Sequence, residues 1–125
     1  MKGRYILLTV LYCMGIFWLS SQSDPVPRAP WFPCADKIAH AMLYGGLAGL
    51  VYVGMRRSDK QYSDRALSYL PVVFAVIYGL TDEVHQYFVP RRTFCILDLV
   101  ADAAGAWAVT WMLMWLHRKL AVRRS

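Results

Sequence analysis

Residues 38–55 read IAHAMLYGGLAGLVYVGM, eighteen positions interrupted only by His40. At 1.5 Å per residue such a run covers most of the roughly 30 Å hydrocarbon core of a bilayer. Three further stretches match it: 5–19, 66–81, and 99–116, the last broken by Asp102. Four spans of about 20 residues would take roughly 80 positions, and the chain has 125. Hydrophobic residues make up 58% and charged residues 18%, against about 25% charge in a soluble domain. A 14.3 kDa globule has too little interior to hide that much apolar surface. The composition therefore excludes both a soluble enzyme and a disordered chain. The expectation is an all-α polytopic membrane protein. It has one domain, 1–125, with transmembrane helices at roughly 5–21, 37–55, 66–88 and 96–117.

A net charge of +6 and a pI near 9.5 would fit a nucleic-acid binder, but the placement of the charges argues against one. With a cytoplasmic N-terminus, the inner segments hold Lys2, Arg4, Arg56, Arg57, Lys60, Arg65, Arg118, Lys119, Arg123 and Arg124. The outer segments hold only Arg28, Lys37, Arg91 and Arg92. Short loops with that bias follow the positive-inside rule. Both termini are accordingly expected in the cytoplasm, with the spans in the cell membrane. The start of the chain resembles a signal peptide loosely. It lacks a good small-residue cleavage site, so the first stretch is read as a retained helix.

Prolines 25, 27, 30 and 33 predict an extended outer loop, with Trp31 and Phe32 at the interface. Three cysteines make no disulfide framework; Cys34 and Cys95 share the outer side, and their pairing stays open. Ala41, Gly45 and Gly49 form a small-residue stripe suited to close helix approach, within the chain or between copies. Trp107, Trp111 and Trp115 are expected to face lipid, and His85 and His117 to be solvated or interfacial. Pro71 is expected about one turn into the third helix.

Ionisable groups inside the spans are the informative feature, since charge at a helix centre costs at least about 2.5–3.5 kcal/mol. Asp36, His40 and Tyr44 recur at i, i+4 and i+8, with Lys37 beside them. Asp82 and Gln86 are four apart, Glu83 and Gln86 three apart; Asp98, Asp102 and Gly105 follow at i, i+4 and i+7. These spacings put each set on one helix face. Helical rise places all three sets toward the outer ends, with Arg91 and Arg92 in the turn above them. No comparable cluster marks the cytoplasmic ends.

The order Asp36-Lys37-x-x-His40-x-x-x-Tyr44, then Asp82-Glu83-x-x-Gln86-x-Phe88-x-Pro90-x-Arg92, then Asp98 and Gly105, resembles the VanZ-like family of membrane proteins. The likeness runs from 36 to about 109. It departs from the family pattern at Asp102, where Asn is usual, and at Val109, where a second Gly is common. Arg91 occupies a position that is usually small. Asp102 adds a charge near Asp98, so one of the two would hold a proton. The family is named for a protein linked to teicoplanin resistance, and other members accompany envelope functions.

These readings together give an outward-facing site that binds or modifies an envelope lipid or an anionic lipid-linked precursor. Glu83, Asp98, His40 and Asp82 are the candidates for acid–base or cation-coordinating work. Asp36, Lys37, Tyr44, Gln86, Arg91, Arg92 and Asp102 are candidates for ligand binding, with Lys37, Arg91 and Arg92 suited to a phosphate-bearing head group. The alternative is a non-catalytic scaffold whose polar network pins the helices together. A metal held by Asp82, His85, Glu83 and His40 lacks a strict ligand signature, and no metal is assigned on the sequence. The cofactor and the oligomeric state are left unspecified.

Overall fold

The computed structural model describes residues 1–23 and 35–123. They form four helices: α1 Gly3–Ser20, α2 Ala35–Arg56, α3 Asp64–Tyr87 and α4 Ile96–Val122. All four are long and apolar enough to cross a membrane, and among the described residues there are no strands. The proline-rich segment with Trp31, Phe32 and Cys34 lies outside the described residues, and with it any pairing of Cys34 with Cys95.

Local signals explain the helix ends. Ser63 caps α3, its Oγ accepting the Ala66 N–H at 3.1 Å, and Asp64 sits in the first turn where the helix dipole favours an acid. That early start puts Pro71 about two turns in, rather than one. A membrane helix tolerates the lost backbone bond when its neighbours cover the site, and Pro71 is buried. α4 runs five residues beyond the expected 117. The cationic residues Arg118 and Lys119 end the apolar run but not the helix. Near a helix C-terminus their charge is favourable, and Lys119 also lies 4.1 Å above the Trp115 ring.

α2 is the central element, and its small residues press on α4. A Cβ added at Gly105 would collide with the Ala41 backbone, and one at Gly45 would lie 3.0 Å from the Gly105 carbonyl oxygen. The stripe Ala41, Gly45, Gly49 is thus used inside the chain. Val109 fills the remaining groove, its two methyl carbons each 3.0 Å from an added Cβ, at Gly45 and Gly49 respectively. Below this seam Val51, Tyr52, Met55, Leu67 and Met114 form an apolar core.

α1 lies at the edge, with only Thr9, Ile16 and Ser20 buried. It is tied on by two tyrosines. The Tyr12 hydroxyl donates to the Leu43 carbonyl at 3.0 Å, and Tyr78 donates to the Cys13 carbonyl at 2.7 Å. Trp107 and Trp111, both 59% exposed, face outward with a girdle of leucines and valines, the surface a bilayer requires.

Candidate functional site

At the end of the bundle opposite its basic termini, α2, α3 and the start of α4 enclose a polar cluster. The ionisable residues share one level there because α2 enters the bundle where α4 begins and α3 ends. Lys37 Nζ donates to Asp98 Oδ1 at 2.6 Å and to Asp36 Oδ2 at 3.0 Å. One turn deeper, His40 Nδ1 lies 3.0 Å from Asp102 Oδ1. Where Asp102 is ionised it can only accept, and Nδ1 is then the donor. The His40 ring stacks on Tyr44, with centroids 6.1 Å apart and planes inclined by 6°.

Glu83, like Asp102, is fully enclosed, at 0% exposure. Its Oε2 accepts the Cys95 backbone N–H at 2.9 Å, which satisfies a free donor at the start of α4. Its Oε1 has no hydrogen-bond partner, and neither do Asp102 Oδ2 and the Tyr44 hydroxyl. Buried polar atoms without partners are uncommon, and each calls for an explanation. Ligand atoms of His40, Glu83 and Asp98 all lie within 4.8 Å of one another. Gln86 Nε2 donates to Asp82 Oδ2 at 3.0 Å, so these two are paired one turn apart on α3.

The structure therefore brings Lys37, His40, Tyr44, Glu83, Asp98 and Asp102 together, with Asp82 and Gln86 alongside. Asp36 stands at the exposed rim. Asp98 pairs with Lys37, and Asp102 with His40. Arg92 is directed elsewhere, its Nε donating to the Gln22 carbonyl at 3.2 Å. Arg91 is exposed and has φ of 67°. That left-handed backbone favours glycine.

His85 turns away from the acids. Its Nε2 is 3.0 Å from Ser21 Oγ and its ring is 4.4 Å from that of Phe17, so it joins α3 to α1 rather than sitting in solvent. The grouping of Asp82, His85, Glu83 and His40 is not assembled. His117 is likewise partnered, its Nδ1 donating to the Leu113 carbonyl at 2.9 Å.

Two contributors carry little sequence signal. The Cys95 backbone N–H is one, because any residue supplies it. Gly79 is the other: a Cβ there would lie 2.6 Å from Asp102 Oδ2 and 3.3 Å from the Tyr44 ring. Its position three residues before Asp82, on the same helix face, is the available clue.

Four membrane-length helices around a buried carboxylate–imidazole cluster define a small multi-pass membrane protein with an internal polar site. The chain belongs to the VanZ/LLP1 family, whose profile matches residues 5–117. Neither the curated proteins nor the solved structures contain a match to it.

Proposed function

We propose that this protein, in the bacterial cytoplasmic membrane with both termini inside, uses an outward-facing polar site to bind or modify an envelope lipid or lipid-linked precursor. The observation that carries the reading is Glu83, a fully buried acid with one oxygen unsatisfied and with His40 and Asp98 in reach. Ionisable groups at membrane depth are costly and mark functional sites by default. Lys37 holds Asp98 and Asp36 and would meet an anionic head group by exchanging one of them. Arg92 would first release Gln22. In a catalytic version Glu83 or Asp98 is the base and His40 assists; in a binding version the same groups retain the ligand.

A second reading, a scaffold, is favoured by the direction of the contacts. Lys37–Asp98 and His40–Asp102 both join α2 to α4, and Glu83 joins α3 to the start of α4. Mass spectrometry of membrane lipids and lipid-linked wall precursors separates the readings. It compares empty vector, wild type and Glu83→Gln at matched membrane level. A species altered by wild type and not by Glu83→Gln supports modification, whereas co-purification of a lipid lost in the variant supports binding. A scaffold changes neither and instead loses membrane abundance. If the precursor is one that glycopeptides recognise, wild type and not Glu83→Gln would also shift teicoplanin susceptibility.

A further inference from the structure

We infer that His40, Glu83 and Asp98 form a binding site for one divalent transition-metal ion, zinc by the chemistry of its donors. The three come from α2, α3 and α4, and one ligand atom of each lies within 4.8 Å of the others. Donors around zinc at bonds of about 2.0–2.2 Å stand about 3.4 Å apart in a tetrahedron. From 4.8 Å the group would close by up to about 1.4 Å, within reach of side-chain rotation. An imidazole with two carboxylates suits zinc better than magnesium or calcium, which prefer oxygen alone.

Three features go beyond a cluster of acids. First, Glu83 Oε1 is a buried carboxylate oxygen without a partner, while Oε2 is held by the Cys95 N–H at 2.9 Å. One oxygen is anchored and the other is left to coordinate. Second, His40 Nδ1 lies 3.0 Å from Asp102 Oδ1, and a proton donated there leaves Nε2 with the lone pair. A histidine ligand held by a carboxylate behind it is the recurrent arrangement of metal sites, and that second contact fixes the tautomer and ring orientation. Stacking on Tyr44 fixes the ring further. Third, the site is not sealed: the Lys37 side chain is 27% exposed and that of His40, one turn deeper, 13%. Lys37 opposes a cation there, and its existing contact with Asp36 at 3.0 Å gives it somewhere to go when Asp98 coordinates.

The test needs no lipid, so it can fail independently of the lipid reading. Full-length protein in detergent is stripped with chelator and titrated with zinc by calorimetry, and cobalt(II) absorption reports on nitrogen and oxygen ligation in the wild type. The expected result is one zinc per chain in the micromolar range or tighter. Glu83→Gln and Asp98→Asn should each weaken it at least about 100-fold, and Asp102→Asn about tenfold. The amide oxygens that Glu83→Gln and Asp98→Asn introduce would still accept from the Cys95 N–H and from Lys37 respectively. Both variants are therefore expected to fold, as checked by metal-free melting. Absence of stoichiometric zinc and of a cobalt spectrum in wild type would overturn the site. Binding that survives Glu83→Gln but disappears in the double variant His85→Asn, His117→Asn would overturn it too, assigning the metal to adventitious histidines.

Discussion

The two ends of the same three helices are built on different principles. At the basic end, Val51, Tyr52, Met55, Leu67 and Met114 close the bundle with apolar contacts. The charges there stay outside, as in Arg118–Asp64 at 3.2 Å, with both side chains about two-thirds exposed. Exposed pairs of that kind contribute roughly 0–1 kcal/mol. At the other end the charges are inside, with Glu83 and Asp102 both at 0% exposure. The basic end demonstrates that α2, α3 and α4 pack without buried charge. Closing three helices therefore does not require the polar cluster, and its cost points to a task beyond packing.

The largest expected effect lies on the seam between the ends. Gly105→Val must push α4 off the Ala41 backbone, at a cost of about 3 kcal/mol, so equilibrium unfolding in detergent should show little folded protein. Gly15→Val on α1 is the control, since an added Cβ there meets nothing within 4 Å. A basic end held by packing should lose about 2 kcal/mol in Leu67→Ala, the low end for a buried leucine.

The polar end should respond to charge balance instead. Lys37→Met strands Asp98 and is expected to cost about 1–2 kcal/mol, below the loss for a fully buried pair because Lys37 reaches the surface. Adding Asp98→Leu should restore most of that in the same unfolding assay. If the single variant is as stable as wild type, the ion pair contributes nothing to holding α2 and α4.

Glu83→Gln should change stability by less than about 1 kcal/mol, because the amide keeps the Cys95 N–H satisfied. It should nonetheless abolish the change in the lipid profile. A large stability loss without a lipid phenotype would erase the contrast between the ends. The smallest effect belongs to the exposed pair: Arg118→Ala should stay within about 0.5 kcal/mol.

Much of the fold was legible because a membrane imposes a coarse rule. Apolar runs of sufficient length must be helices, and the runs containing His40 and Asp102 were long enough to survive an interrupting polar residue. Helix ends were less legible. The run at 99–116 stops at charge, whereas α4 continues to Val122, because hydropathy reports where lipid ends and not where backbone bonding ends. The i, i+4 spacing pairs Asp82 with Gln86 as the structure does, but it groups Asp36 with His40 and Tyr44, whereas Asp36 stands at the exposed rim and Lys37, one residue on, reaches Asp98. It carries no information on partners across helices, so it groups Arg92 with the cluster although the Arg92 Nε donates to the Gln22 carbonyl.

The sequence alone determined that this protein has four apolar helices, ionisable groups at one end of three of them, and the spacing of the VanZ/LLP1 family. Those properties are set by composition and helical period, which are local. Tertiary structure decided which acid meets which base, that His85 faces α1, and that Glu83 keeps one oxygen unsatisfied beside His40 and Asp98. Such outcomes depend on the angle and depth at which Gly105 lets α4 approach α2, and no periodicity along a single helix encodes a distance between two.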